Sequence, residues 1–159
     1  MLYDLLKMCV SIFFNILNIL LGGRLPPFGS AAMIVERDGR YLVVRLPRGH
    51  IVFPGGFMAW REDPKQAAER EGYEETGFRL QADELIHFYS DISSSWLHMS
   101  TLSFVFCGHI VSGKLRKSAE GQPCWMSEEE LRKRMDKHTL RALDDYLTYR
   151  KKKLDPSVV

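Results

Sequence analysis

The sequence is poor in cysteine and carries no large excess of either charge. Its three cysteines, Cys9, Cys107 and Cys124, are odd in number and lack the short spacing of a zinc site or of a disulfide framework. This usage is typical of a reducing compartment, and we therefore predict a cytoplasmic location. The net charge of +2 argues against dedicated nucleic-acid binding, which calls for a strong basic excess. The five histidines show neither H-x-x-H nor H-E-x-x-H spacing, so the common histidine metal motifs are missing.

The rest of the composition is that of a globular protein. The chain has 159 residues, of which 45% are hydrophobic and 26% charged, values that argue against a disordered chain. A domain of this size buries roughly two thirds of its unfolded surface, so its core needs no metal or disulfide staple. The apolar residues are unevenly distributed, however, because 16 of the first 21 residues are apolar.

This N-terminal segment has the pattern of an amphipathic helix. Its polar residues are Asp4, Lys7, Ser11, Asn15 and Asn18, and at 100° per residue they fall within an arc of roughly 80°. The pattern predicts a helix over residues 1–21 with an unusually broad apolar face. Two glycines and two prolines follow, and they predict a linker over residues 22–30.

Three interpretations of this helix remain open. It packs on its own domain or on a partner subunit, which would make a homodimer; it lies on or crosses a membrane; or it results from a misassigned start codon. A helix of 21 residues is about 32 Å long, enough to span a bilayer core. Its polar stripe, in contrast, argues against a featureless membrane span. If the helix meets a membrane, the protein is membrane-associated through residues 1–21.

The chain after the linker is predicted to mix strands and helices. Two strands flank the turn signal Asp38-Gly39, and a helix is predicted over Pro64–Thr76. Asp63 precedes that helix as its N-cap, and Gln66 completes a capping box. Further strands lead to helical sequence, in one or two pieces, that ends near Lys153. We predict one domain over residues 31–153 and a tail over residues 154–159.

The helix over Pro64–Thr76 carries a cluster of acidic residues on one face. Glu71, Glu74 and Glu75 are spaced i, i+3 and i+4, so their side chains lie side by side and repel one another. A hard cation such as Mg²⁺, which prefers oxygen ligands, would offset that repulsion. A solvated acidic surface is the alternative for this segment taken alone.

The residues around the cluster resemble a known signature. The pattern G-x5-E-x7-R-E-x-x-E-E-x-G-F resembles the Nudix box of the Nudix hydrolases, and Phe53-Pro54-Gly55-Gly56 is similar to the MutT-type entry into that box. The likeness covers roughly residues 31–131. It implies an α/β/α sandwich with a mixed central sheet, to which this chain adds the N-terminal amphipathic helix. The residues that match the box are Gly56, Glu62, Arg70, Glu71, Glu74, Glu75, Gly77 and Phe78.

The resemblance also implies an activity and a metal site. Nudix hydrolases cleave nucleoside diphosphates linked to another group, with Mg²⁺, or alternatively Mn²⁺, as cofactor. By this likeness Glu71 and Glu74 are catalytic with Arg70, which pairs with Glu62 or Glu71. Glu71 binds a further metal, or orients or deprotonates the water. The predicted metal ligands are the Gly55 carbonyl, Glu71, Glu74, Glu75 and Glu120.

The substrate is less closely defined by the sequence. We predict Arg45, Arg48 and Phe53 as substrate-binding residues, with surface solvation of the two arginines as the alternative. A nucleoside triphosphate, including the deoxy form, is expected for a MutT-like enzyme, and ADP-ribose or a nucleotide-sugar is the alternative substrate. A non-catalytic nucleotide-binding sensor is the alternative of another class, although the complete set of box glutamates favours catalysis.

Gly72 is the one visible departure from the family pattern, which has an aliphatic residue there. Glycine inside a helix costs about 1 kcal/mol relative to alanine. The missing side chain leaves a void unless Tyr73, or a large side chain from a facing strand or from the N-terminal helix, occupies the space. A leucine at this position would then either fill a void or overpack the core, and overpacking is the expected result.

Overall fold

The computed structural model describes residues 2–47 and 49–154, with the backbone alone at residues 2–4, 6 and 7. Of the predicted site residues, Arg48 lies outside the described residues, as do residues 155–159 of the predicted tail. The elements are α1 (Leu2–Leu20), β1 (Phe28–Arg37), β2 (Arg40–Arg45), β3 (Ile51–Val52), β4 (Gly55–Phe57), α2 (Pro64–Thr76), β5 (Phe78–Asp91), β6 (Thr101–Gly113), β7 (Gln122–Ser127), α3 (Glu128–Arg134) and α4 (Lys137–Leu154).

The seven strands form one mixed sheet. Its main path runs β3-β2-β1-β6-β5, with β4 paired to β1 and β7 paired to β2. The β1–β6 pair is parallel, and the other described pairs are antiparallel. Successive side chains of a strand point to opposite faces of a sheet, and the two faces here bury two separate clusters. The predicted mixed sheet between helical layers is therefore confirmed.

The strand β1 shows how the two layers are built. Its residues Met33 and Val35 pack in the cluster that contains Ala67 of α2, whereas Ile34 packs in the cluster that contains Leu143 of α4. All five of these residues are almost completely buried. The helix α2 consequently covers one face of the sheet and α4 covers the other.

The local signals of the sequence are found where they were predicted. Asp38 and Gly39 both have positive φ angles, 53° and 72°, and they join β1 to β2 in a tight turn. The Asp63 side chain accepts a hydrogen bond from the Gln66 backbone, so the predicted capping box of α2 is present. A second capping box starts α3 at Ser127. The helical sequence beyond Ser127 is divided into two pieces, α3 and α4.

The first strand is longer than predicted. It begins at Phe28, which pairs with Thr101 of β6, and Ser30 pairs with Ser103 in the same register. The strand therefore takes in the last three residues of the predicted 22–30 linker. The local sequence gave no sign of this extension, because it depends on pairing with a strand more than 70 residues away.

The helix α1 turns its polar stripe toward its own domain. Ser11 is buried, the Asn15 side chain donates hydrogen bonds to the Trp96 and His98 carbonyls at 2.8 and 3.3 Å, and Asn18 accepts one from the Leu25 backbone at 3.0 Å. The opposite side of the helix is exposed. We call its exposed apolar side chains the outer face of α1: Leu5, Phe13, Ile16, Ile19 and Leu20.

In residues 2–47 and 49–154, no helix is both long enough and apolar enough to cross a membrane.

The space beside Gly72 is filled by Leu80 of β5. A Cβ atom built on Gly72 would lie 2.6 Å from Leu80 Cδ1 and 3.2 Å from its Cγ, and the Leu80 side chain is buried. The aliphatic group that the family pattern places on the helix is thus supplied from the facing strand. Of the occupants considered from the sequence, the facing strand is the one observed.

We expect Gly72→Leu to destabilise the protein by about 1–3 kcal/mol, because the new side chain overpacks the space that Leu80 occupies. Leu80→Ala should also destabilise it, by about 2–5 kcal/mol, since it leaves a cavity. The double variant should recover a large part of either loss. Urea unfolding of the parent, the two single variants and the double variant measures the coupling between positions 72 and 80. If the two losses simply add in the double variant, Leu80 does not fill the space beside Gly72.

Candidate active site

The structure contains a cleft of about 1190 Å³, and most of the predicted site residues line it. Its lining combines parts of β1, β4, α2, the segment before β7 and the start of α4. The predicted site residues that line it are Phe53, Gly55, Arg70, Glu71, Glu74, Glu75 and Glu120.

Two predicted substrate residues are not found in this group. Arg45 is absent from the described lining of the cleft and interacts instead with the Cys124 side chain. The structure therefore does not place Arg45 with the carboxylates, because it is at the end of β2 in a pair with β7. Arg48 lies outside the described residues.

Glu75 is the most deeply buried of the carboxylates. Its residue is only 4% exposed, and its Oε2 accepts a hydrogen bond from the Gly55 backbone N–H at 2.9 Å. Burial raises the pKa of Glu75 to about 7, and the negative charges of Glu71, Glu120 and Glu74 add to the rise, while the Gly55 hydrogen bond opposes it. A carboxyl group with this pKa would bind a cation in exchange for a proton near neutral pH.

Glu71 is half buried beside Glu75. Burial is the largest cause of its raised pKa, and the charges of Glu74 and Glu120 act in the same direction. Arg70 lowers the pKa through a hydrogen bond and its charge, but does not cancel the rise. Because Glu120 raises the pKa of both Glu71 and Glu75, the loop before β7 brings a fourth carboxylate to the cluster.

Arg70 contacts three carboxylates and one carbonyl. Its Nε and Nη2 donate to the two oxygens of Glu62 at 2.8 and 2.9 Å, while Nη1 donates to Glu71 at 2.8 Å and to Glu74 at 3.1 Å. Nη2 also donates to the Phe57 carbonyl at 3.0 Å. Hydrogen bonding to Glu62 is the main cause of a raised Arg70 pKa and of a lowered Glu62 pKa. The sequence left Glu62 and Glu71 as alternative partners of Arg70, and the structure has both.

The glycine before Phe57 permits a close approach to the cluster. A Cβ atom on Gly56 would lie 2.5 Å from Glu71 Oε1, closer than non-bonded atoms tolerate. Any side chain there would displace the Glu71 carboxylate from the loop. Gly56 therefore leaves the space in which the Glu71 carboxylate lies against the loop.

The chemistry of the donor set fits a hard divalent cation. Four carboxylates and a backbone carbonyl are oxygen ligands, which suit Mg²⁺ or Mn²⁺ better than zinc. In residues 2–47 and 49–154, no three acidic, histidine or cysteine side chains already stand in a metal-binding arrangement. Arg70 holds Glu71 and Glu74 instead, so these two carboxylates would have to turn toward a cation.

Two further lining residues of the cleft were not predicted from the sequence. They are Tyr89 of β5 and His138 of α4, whose rings lie 6.2 Å apart. The Tyr89 hydroxyl donates to Asp145, and Arg141 lies over the Tyr89 ring at 5.2 Å. Burial and Asp145 raise the Tyr89 pKa. No local motif marks these residues, because the packing of α4 on the sheet brings them together.

The raised pKa of Glu75 predicts a pH-dependent stability of the metal-free protein. The folded-state value of about 7 lies above the ordinary 4.5, so folding favours the protonated form. This contribution is complete below about pH 4.5 and is lost as the pH rises through about 7. In EDTA, the stability of the parent relative to Glu75→Gln should fall by about 1–3 kcal/mol over that range. Urea unfolding at several pH values tests this, with Glu129→Gln on exposed α3 as the control that keeps the parental profile.

Arg70→Lys should also be costly, because one ammonium group cannot replace the paired contacts of the guanidinium with Glu62 and its contacts with Glu71 and Phe57. We expect a loss of about 1–3 kcal/mol in urea unfolding. Arg132→Lys is the matched control, since Arg132 pairs with Glu128 and Asp144 at the surface. Equal effects of the two substitutions would show that the Arg70 network does not hold the cluster.

Comparisons with known proteins agree with this geometry. The family model of the NUDIX domain matches residues 26–146, well over half of the chain. A MutT-like protein of Streptomyces ambofaciens is 32% identical over 125 residues, which cover 75% of this chain and 78% of that protein. A NUDIX hydrolase of Nitrosomonas europaea is 29% identical, covers 77% of this chain and 90% of its own, and gives a TM-score of 0.69.

A more distant structure shares the fold. An ADP-ribose pyrophosphatase of Streptococcus suis gives a TM-score of 0.55 at 15% identity, covering 64% of this chain and 75% of its own. The resemblance inferred from the box is thus confirmed by the family model and by the Streptomyces relative. The chain belongs to the Nudix family and is a hydrolase of phosphorus-containing acid anhydrides.

Proposed function

We propose that the protein is a Mg²⁺-dependent hydrolase that cleaves a diphosphate bond in a nucleoside diphosphate linked to another group. Mn²⁺ is the alternative cofactor. The observation that carries the proposal is the buried Glu75 carboxylate, whose pKa near 7 reflects burial and three neighbouring glutamates at one cleft wall. A bound cation would lower the free energy needed to ionise this buried carboxyl group. The same cation would also screen the charge of the substrate diphosphate.

The proposed metal ligands are residues of the cleft wall. Glu71, Glu74, Glu75, Glu120 and the Gly55 carbonyl would hold the ion. When bound, it screens the phosphate charge and stabilises the negative charge that develops on the leaving oxygen. The Gly55 backbone N–H donates to Glu75, so the same loop that would offer its carbonyl also orients the buried carboxylate.

Glu71 and Arg70 have distinct roles in the proposal. The raised pKa of Glu71 makes it a better proton acceptor than an ordinary carboxylate at neutral pH. We therefore assign to Glu71 the orientation or deprotonation of the attacking water. Arg70 donates to Glu71 Oε1 at 2.8 Å while its Nε remains on Glu62, so it is a positioning residue that limits how far the Glu71 carboxylate turns when an ion binds. Glu74 completes the predicted catalytic set as the neighbouring carboxylate on Arg70.

The substrate proposal follows the MutT-like relative. The similarity of this chain to the Streptomyces protein supports a nucleoside triphosphate, including the deoxy form, as the substrate. Phe53, Tyr89 and His138 also line the cleft, and the exposed His138 ring offers a surface on which a base can stack. Phe53 is 5% exposed and is kept as a proposed substrate contact at the cleft wall. Arg45 has no place in the proposal because it lies beside Cys124, and Arg48 stays a prediction.

ADP-ribose or a nucleotide-sugar is the second candidate substrate. The size of the cleft, about 1190 Å³, supports it, since this space exceeds what a nucleotide alone needs.

The predicted cytoplasmic location also remains a prediction. A homodimer through α1 and contact of α1 with a membrane surface are alternative proposals that would use the same outer face.

A substrate panel with matched variants tests the proposed function. With Mg²⁺ present, the parent should hydrolyse at least one of three substrate types: a nucleoside triphosphate to release pyrophosphate or phosphate, ADP-ribose to AMP and ribose phosphate, or a nucleotide-sugar to a nucleoside monophosphate and a sugar phosphate. Glu75→Gln and Glu71→Gln should each lower kcat at least about 100-fold, since each removes a charge without changing volume. Glu129→Gln should retain full activity, and EDTA should abolish it.

The same panel separates catalysis from sensing. Nucleotide binding measured by calorimetry, together with no hydrolysis of any substrate, would replace the enzyme proposal by the sensor alternative. Near-normal turnover in Glu75→Gln would instead show that the assigned metal site is wrong.

A further inference from the structure

The outer face of α1 is an apolar surface that the domain does not cover. Leu20 is 76% exposed, Phe13 61% and Ile19 60%. The polar stripe lies on the other side, where Asn15 and Asn18 are hydrogen-bonded to the domain and its linker. An amphipathic helix on a globular domain normally buries its apolar side. Here the arrangement is reversed, and the apolar side is presented to the surroundings.

From this arrangement we infer that the outer face of α1 docks on the surface of a lipid bilayer, with the helix lying in the plane of the interface. The 19 residues of α1 span about 28 Å. The polar side of α1 is hydrogen-bonded to the domain. An interfacial helix needs a polar side that faces water, and here the domain lies on that side.

The width of the face favours a bilayer over a second copy of the chain. At 100° per residue, the five exposed apolar side chains from Leu5 to Leu20 span an arc of about 120°. A two-helix contact needs only a narrow seam, whereas a bilayer surface contacts a broad arc.

The charges near the helix are complementary to an anionic lipid surface. Residues 8–35 contain Arg24 as their one basic residue and no acidic residue. Arg24 is exposed just beyond the end of α1. Basic side chains beside an inserted apolar face attract anionic headgroups, each by an amount that falls off within a Debye length.

An exposed indole group lies on a loop that contacts α1. Trp96 is exposed in the loop whose carbonyl accepts from Asn15, and Ile92 and Leu97 of the same loop are exposed as well. Tryptophan is enriched at membrane interfaces, where its ring is apolar and its N–H remains near water. This loop therefore brings further exposed apolar side chains close to the helix, at its Asn15 side.

The docking surface is connected to the catalytic cleft by a row of aromatic rings. Phe13 packs on Phe14 with centroids 5.5 Å apart, Phe14 on Phe28 at 4.6 Å, and Phe28 on Phe57 at 6.2 Å. Phe57 lines the cleft, and its carbonyl accepts from Arg70. A protein docked through α1 would thus hold its cleft close to the bilayer surface.

Vesicle cosedimentation of the full-length protein tests the inference. Phosphatidylcholine vesicles, and vesicles of phosphatidylcholine mixed with phosphatidylglycerol, should both bind the parent, the mixed vesicles more tightly. The double variant Ile16→Gln with Leu20→Gln should bind both types at least about tenfold more weakly. Val111→Gln with Leu154→Gln removes two other exposed apolar side chains and should bind like the parent. Circular dichroism checks that each variant is folded.

A second variant isolates the charge contribution. Arg24→Gln should weaken binding to the mixed vesicles by about fivefold and leave binding to phosphatidylcholine nearly unchanged. The inference is overturned if the parent stays in the supernatant with both vesicle types, or if the Ile16/Leu20 variant binds like the parent. It is also overturned if light scattering shows a lipid-free dimer that this variant dissociates while vesicles bind neither protein, because the face would then meet a second copy.

Discussion

Mutual repulsion between carboxylates is the constraint on which the rest of this structure depends. Glu71, Glu74, Glu75 and Glu120 act on one another electrostatically at one wall of the cleft, and such a cluster would separate without opposing interactions. Arg70 offsets part of the repulsion by contacting Glu71 and Glu74 through one nitrogen. The Gly55 N–H stabilises a further charge at Glu75. Burial, together with the repulsion that remains, raises the pKa values of Glu75 and Glu71, and a bound cation would relieve both effects.

The scaffold around α2 keeps this unfavourable arrangement in place. The helix starts at a capping box on Asp63 and ends at Gly77 in a left-handed conformation, whose N–H donates to the Tyr73 carbonyl, so hydrogen bonds at both ends oppose a shift of the helix. Its inner side packs Ala67 and Ala68 against the sheet. The small side chains let the helix lie close to the strands, and Leu80 fills the space left by Gly72. Local stability thus supports a site that is itself destabilising in the absence of metal.

The sequence predicted those parts of the structure that depend on near neighbours. The limits of α2 and its capping box come from a few adjacent residues, and Arg70 reaches Glu62 because both belong to one continuous segment. Long-range packing was not predictable in this way. That Leu80 would face Gly72, or that His138 would lie near Tyr89 in the cleft, depends on strand pairing and on how α4 crosses the sheet. The polar stripe of α1 was predicted from the sequence. That this stripe, and not the apolar side of the helix, would face the domain was not predicted.

The reversed orientation of α1 has an energetic consequence. Asn15 and Asn18 attach the helix by a few hydrogen bonds, and Phe14 adds one close aromatic contact. Hydrogen bonds of this kind contribute about 1 kcal/mol each, whereas burial of a leucine, isoleucine or phenylalanine side chain contributes about 1.5–3 kcal/mol. Most of the apolar stabilisation that this helix can provide is therefore still unused in the isolated chain. It becomes available only when the outer face meets another apolar phase, and the phenylalanine row links that face to Phe57 at the cleft.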